Sequence, residues 1–173
     1  MLSYDKQYNK TNDTTNKEKV VHSMAKIRVL APIDGTVVPL EEVPDEVFAQ
    51  KMAGDGVAID PSGKVAVAPI SGELVKLFPG GHAFGIAADN DVELIVHIGL
   101  DTVELQGQGF KNIAHEGQHV EPGTPIVEFD RAKIESLERA IISPVVSSGE
   151  GTITQRASGK VRAGQDVLFV IEV

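Results

Sequence analysis

From Lys26 to Val173 the chain is a succession of short β-branched runs cut by clusters of Gly, Pro, Asp and Ser. The runs are Ile27–Leu30, Thr36–Leu40, Gly56–Ile59, Lys64–Val67, Glu73–Phe78, Pro125–Phe129, Gly151–Thr154 and Val167–Val173. Each is too short for an ordinary amphipathic helix and is bounded by turn-forming residues. Many short strands at this spacing predict an all-β antiparallel sandwich or barrel. Two short helices are expected within it. One follows Pro44, a residue suited to a first helical position, and ends near Gly54. The other runs from Arg131 to Ala140, with Asp130 as N-cap and Ile134, Leu137 and Ile141 on one stripe.

Two patterns recur. Ala31-Pro-Ile-Asp-Gly-Thr-Val-Val-Pro-Leu40 returns as Ala68-Pro-Ile-Ser-Gly-Glu-Leu-Val-Lys-Leu77. Gly117-x-x-Val120-x-x-Gly123-x-x-Ile126 returns as Gly159-x-Val161-x-x-Gly164-x-x-Val167. The period is too irregular for a solenoid. Repeated strand–turn units fit a pseudo-symmetric sandwich instead.

Residues 1–25 differ in kind. They are polar and nearly free of apolar periodicity, so a disordered tail is expected before a single domain at 26–173. A membrane-surface helix there would have only Leu2, Tyr4 and Tyr8 as its apolar face. No apolar run reaches the roughly 18 residues of a membrane span, and without an apolar h-region near Met1 no secretory signal is expected. The 173 residues contain no cysteine, which removes disulfides, thiolate metal sites and a thiol nucleophile. A cytoplasmic location is the resulting expectation. Net charge is −9, with five lysines against three acids through Lys26, so the domain is acidic. That disfavours nucleic acid and suits a basic protein partner.

The chemistry-bearing residues are His82 and His97, on either side of Asp89-Asn90-Asp91. With Asp89-Asn90 as a two-residue hairpin loop, Ala88 faces Asp91 and His82 faces His97. In this register Val92, Leu94, Val96 and Ile98 share the core face with Ala83, Gly85 and Ala87. His82, Phe84 and Ile86 then lie outside with Glu93, Ile95 and His97. Facing imidazoles suit phosphoryl transfer: one nitrogen attacks and carries the group, and a second ring donates an N–H to its oxygens. Two ordinary surface histidines are the alternative.

His115 and His119 have the i, i+4 spacing of a helical metal pair, but Gly117 and Pro122 break such a helix, so they are expected in a loop.

Taken together, several segments closely resemble the glucose-family IIA component of the bacterial phosphoenolpyruvate:sugar phosphotransferase system. They are Ala31-Pro-Ile-Asp-Gly-Thr-Val, Glu42-Val-Pro-Asp-Glu-Val-Phe-Ala, Gly54-Asp-Gly-Val-Ala-Ile, Val67-Ala-Pro-Ile-Ser-Gly, Gly81-His-Ala-Phe and Val96-His-Ile-Gly-Leu-Asp-Thr-Val-Glu-Leu. The resemblance implies a phosphocarrier. It makes His97 the residue phosphorylated at Nε2 and His82 the second active-site histidine, which steadies the group for onward transfer. It implies the phosphocarrier HPr as donor, a cysteine of a IIB domain of a sugar permease as acceptor, and regulatory target proteins. It places Asp45, Val47, Phe48, Ile95 and Asp101 on the interaction surface, with Val47, Phe48 and Ile95 as apolar docking residues and the two aspartates as a negative ring. It implies no required cofactor, with zinc bridging His82, His97 and a partner carboxylate in complexes. Gly80 stands where enteric members carry a threonine that orients the second histidine, and Ile95 replaces a phenylalanine common among them.

Two other functions fit the residues less well. A zinc peptidase on a similar scaffold needs three protein ligands, whereas the matching strand reads Val96-His97-Ile98 in place of His-x-His. A biotinyl or lipoyl carrier needs a lysine at a hairpin tip, whereas the clearest tip here is Asp89-Asn90.

Overall fold

The computed structural model describes residues 25–173. Apart from Ala25, the expected tail lies outside the described residues, as do His22 and Met24. The strands are β1 (Lys26–Leu30), β2 (Gly35–Pro39), β3 (Asp55–Pro61), β4 (Val65–Val67), β5 (Gly72–Leu77), β6 (Ala83–Ala87), β7 (Glu93–His97), β8 (Phe110–Asn112), β9 (His119–Val120), β10 (Pro125–Phe129), β11 (Ser143–Ser147), β12 (Thr152–Arg156), β13 (Lys160–Val161) and β14 (Val167–Glu172). All pair antiparallel.

An eight-stranded sheet runs β13-β2-β3-β11-β7-β6-β5-β9. Two three-stranded sheets, β1-β14-β12 and β4-β10-β8, complete the sandwich. Between the layers lies one large core that includes Ile33, Ile59, Leu74, Phe84, Leu94, Val96, Ile126, Val145, Leu168 and Phe169. A smaller cluster of Leu40, Val43, Phe48, Ala58, Leu100 and Val146 covers part of the large sheet's other face.

The sheet order is the same from both ends, and the repeats explain why. Thr36 pairs with Lys160 as Glu73 pairs with His119, and Gly35 pairs with Val161 as Gly72 pairs with Val120. Ala31 exchanges backbone hydrogen bonds with Gly164 and Asp166, and Ala68 does the same with Gly123 and Thr124. The two halves meet where β7 pairs with β11, Val96 against Val145.

Both helices are present and shorter than expected. α1 (Glu46–Ala49) is capped by Asp45, and Lys51 stops the turn after it with φ 59°. α2 (Arg131–Ser136) is capped by Asp130, whose carboxylate accepts from Lys133 N–H, and Glu138 turns away at φ 64°. Short 3-10 segments at Leu40–Glu42 and Thr102–Leu105 add to them. His115 and His119 are not on a helix; His119 lies in β9 beside the Glu121 carboxylate.

The hairpin register differs from the expected one by a single residue. Ala83 pairs with His97, Gly85 with Ile95 and Ala87 with Glu93. The loop holds three residues, because Asp91 adopts φ 58° and Ala88 N–H bonds to the Val92 carbonyl. A three-residue loop with its last position left-handed is a standard hairpin closure. One residue of slip turns β6 over. Phe84 and Ile86 therefore face the core with Leu94 and Val96, all at most 1% exposed, while small Ala83, Gly85 and Ala87 share the outer face with His97, Ile95 and Glu93.

This register predicts that Phe84→Ala costs about 3–5 kcal/mol in urea unfolding, the range for deleting a core phenyl ring. With Phe84 on the outer face, the loss would be small.

Candidate active site

His97 ends β7 on the outer face, opposite Ala83. Its Nδ1 lies 2.7 Å from the Gly99 carbonyl oxygen. A carbonyl only accepts, so Nδ1 carries the ring proton and Nε2 keeps its lone pair. Among the described residues Nε2 has no hydrogen-bond partner.

The position of that carbonyl is set by the chain around it. Gly99 has φ +76°, and a Cβ there would come within 2.6 Å of Thr102 Cγ2 and 2.7 Å of the Ala140 carbonyl oxygen. Only glycine fits this turn without strain. The Gly99 N–H donates to Ser143 Oγ at 3.2 Å, and Ser143 donates onward to the Ile141 carbonyl at 2.8 Å. Thr102 Oγ1 donates to the Ile98 carbonyl at 2.6 Å, and Leu100 N–H to the Ala140 carbonyl. Ser143 and Thr102 are two of the three buried polar side chains among the described residues; the third is His82.

His82 reaches His97 by a different route from the one expected. Residue 82 stands opposite Ile98, whose N–H it accepts at 2.7 Å, so a regular pleat would aim its ring at the core. The pleat begins only at Ala83. Gly81 adopts φ +79°, where a Cβ would sit 2.9 Å from both Phe110 and Asn112, and the chain bends there. The His82 ring thus lies beside His97, centroids 5.5 Å apart and planes at 69°.

Two phenyl rings extend the pair. Phe48 lies 5.3 Å from His97 and Phe78 lies 4.9 Å from His82, centroid to centroid. The row reads Phe48, His97, His82, Phe78. Phe48 is 8% exposed and belongs to the small outer cluster, so it backs the His97 ring. Val47, one residue earlier, is the exposed member at 47%. Ile95 is half-buried on the same cluster.

Asp45 caps α1 by accepting from Val47 N–H at 2.9 Å. Asp101 takes the left-handed φ 55° and precedes the 3-10 segment, yet makes no side-chain cap bond to it. Both carboxylates act on His97 through their fields.

Both imidazoles ionise below the ordinary histidine value. For His97 burial is the largest cause, opposed by the Gly99 carbonyl, Asp45 and Asp101. For His82 burial again leads, with His97 adding like-charge repulsion. Both rings are therefore neutral at pH 7.

Phe78, Gly99, Thr102 and Ser143 were absent from the expected set. Gly99 was within reach, since it sits two residues after His97 in a positive-φ turn. The others depend on contacts between distant segments.

The two imidazoles are a fit for zinc only with outside help. The His97 Nδ1 is already committed to Gly99, and the described residues hold no group of three His, Cys, Asp or Glu suited to a metal ion. Two ring nitrogens are too few for a stable site, and no step is derived through one.

The model for the phosphoenolpyruvate-dependent sugar phosphotransferase system, EIIA 1, matches residues 27–153. The chain belongs to that family. The glucose-specific EIIA component of Haemophilus influenzae is 43% identical over 149 residues, covering 85% of this chain and 90% of that protein. The N-acetylglucosamine-specific EIICBA component of Klebsiella pneumoniae is 46% identical over 147 residues; the match covers 83% of this chain and 23% of that longer protein. The solved glucose permease IIA of Mycoplasma capricolum matches with a TM-score of 0.81 at 41% identity, over 84% of this chain and 96% of that one. This EIIA chain is thus a phosphotransferase component of a sugar uptake system. Among the described residues no helix is long and apolar enough to cross a membrane.

Two outcomes follow for the EIIA site. Ser143→Ala strands the buried Gly99 N–H and costs about 1–3 kcal/mol in chemical unfolding. Between pH 7 and 5 the unfolded chain takes up protons at its histidines that folded His82 and His97 refuse. Their contribution is complete above the ordinary value of 6.5 and is lost as pH falls through it toward the lowered folded values. Unfolding curves across this window should show the loss, and the double variant His82→Gln, His97→Gln should show less of it.

Proposed function

We propose that this EIIA chain accepts a phosphoryl group on His97 Nε2 from phosphorylated HPr and passes it to a cysteine of a sugar-specific IIB domain. The observation that carries this reading is the bond from His97 Nδ1 to the Gly99 carbonyl. It presents an unprotonated Nε2 beside a second imidazole.

In the first step the Nε2 lone pair forms a bond to phosphorus. The bond to the donor's histidine nitrogen breaks, and its electron pair stays on that nitrogen. In the second step the IIB sulfur attacks, the His97 N–P bond breaks, and the electron pair returns to Nε2. The 173 residues hold no cysteine, so the acceptor thiol lies outside them. The kinship with an EIICBA component supports a IIB partner.

The electrostatics serve both states. Burial keeps His97 neutral and nucleophilic before attack. Attack then draws electron density from the ring, and positive charge develops on it. The Gly99 carbonyl, Asp45 and Asp101 all favour that charge. His82 donates a ring N–H toward the phosphoryl oxygens and steadies the group for transfer.

The aspartates also set a condition on partners. A phosphoryl group adds roughly −1.5 to −2 charges at neutral pH, here beside two carboxylates. The donor and acceptor proteins must supply cationic groups around it, and Val47 and Ile95 offer apolar contact at the rim. Once phosphorylated, the same face rejects acidic partners, which suits target proteins that distinguish the two states.

Incubation with phosphoenolpyruvate, enzyme I and HPr should add one phosphoryl mass, labile to acid and stable to base. His97→Ala should abolish it. His82→Gln should still accept the group and transfer it poorly to IIB. Normal labelling of His97→Ala would sink the assignment, and unimpaired transfer by His82→Gln would remove His82's role.

A further inference from the structure

We propose that Phe78 is the positioning residue for His82, holding its ring by aromatic packing where no hydrogen bond does so. The inference rests on the phosphocarrier reading and assigns a task within it.

The two histidines are held in unlike ways. His97 is fixed by its Nδ1 bond to Gly99. Among the described residues no hydrogen bond fixes the His82 ring, whose ionisation responds only to burial and to His97. Gly80 is the near neighbour that could supply one and has no side chain; a Cβ there would lie 3.6 Å from His82 Nδ1. A stabiliser must aim its N–H, and misplacement of the order of 1 Å is enough to cost catalysis heavily. The constraint on His82 is instead aromatic contact, with Phe78 tilted against its ring at 4.9 Å and His97 edge-on at 5.5 Å, centroid to centroid.

Phe78 is itself well anchored, although 37% exposed. Its N–H bonds to the Ala83 carbonyl at 3.1 Å, and its carbonyl accepts from Gly81 N–H at 2.8 Å. Asn112 Nδ2 donates to the carbonyls of Phe78 and Pro79, both at 3.3 Å. The same turn thus carries both Phe78 and His82, fixing their relative position. On the ring itself, Lys76 Nζ lies 5.3 Å from the centroid, a cation–π distance. That ammonium is 3.8 Å from Glu116 Oε1, and the same oxygen accepts from Leu77 N–H at 3.0 Å. The groups that bear on His82 are therefore His97 directly and the Lys76–Glu116 pair through Phe78.

The decisive variant is Phe78→Leu, apolar and partly exposed in place of a partly exposed ring. Imidazole titration by NMR should show His82 ionising closer to the ordinary 6.5 as its cover is lost. Transfer to IIB should fall about tenfold, with uptake from phosphorylated HPr falling no more than about twofold. In a His82→Gln background the same change should cost nothing further, because its target is gone. Adding Gly80→Thr to Phe78→Leu should recover part of the transfer rate by bringing a hydroxyl to Nδ1, and Phe78→Tyr should keep most of it. Equal losses in both steps that persist in the His82→Gln background, with His82 titrating as before, would make Phe78 a docking residue only and overturn the proposal. Failure of the unaltered protein to take up a phosphoryl group would reject the phosphocarrier reading instead, and the NMR titration would still decide whether Phe78 governs His82.

Discussion

The pairing of β7 with β11 is the contact on which the rest of this molecule depends. Val96 against Val145 joins the two repeated halves at the middle of the eight-stranded sheet. It also makes the site. His97 is the next residue along β7, and Ser143, two residues back along β11, anchors the Gly99 turn from the side. The carbonyl that fixes the His97 proton is thus held by the central joint of the fold. A flexible loop could present a histidine; it could not hold one tautomer so firmly.

The chemistry follows from a balance. Burial discourages charge on His97, while Gly99, Asp45 and Asp101 invite it. In the proposed transfer a neutral ring is needed for attack and a cationic one is approached during it, and this setting suits both. His82 lacks such a balance: burial and His97 both push it toward neutrality. A neutral His82 still has one N–H to donate. The asymmetry between the rings agrees with one acting as carrier and the other as stabiliser.

Much of this was legible in the sequence. The runs of β-branched residues marked eight strands close to their observed limits, and the two repeats gave the pseudo-symmetry. β11 was not legible. Ser143-Pro-Val-Val-Ser147 is short, and its proline argues against a central strand. Pro144 is tolerated because the ladder to β7 stops at Val145 and does not require its N–H. The hairpin register differs by one residue from the one its spacing implies, because nothing local announces that Asp91 turns left-handed. Sequence spacing brought the two histidines together by a wrong register; in the structure a bend at Gly81 does it. Their unequal roles came from family resemblance, and the holding residues Ser143, Thr102 and Phe78 emerged only from tertiary contacts.

On the proposed function, His97 carries the phosphoryl group on Nε2 with its proton held at Nδ1 by Gly99. Long-range proton–nitrogen correlation spectra of the imidazoles, before and after phosphorylation by phosphoenolpyruvate, enzyme I and HPr, test it directly. The expected result is a neutral His97 protonated at Nδ1 in the free protein, and a phosphorus coupling at His97 Nε2 alone after reaction. A His97 protonated at Nε2, or a phosphorus coupling at His82 or at Nδ1 of His97, would contradict it.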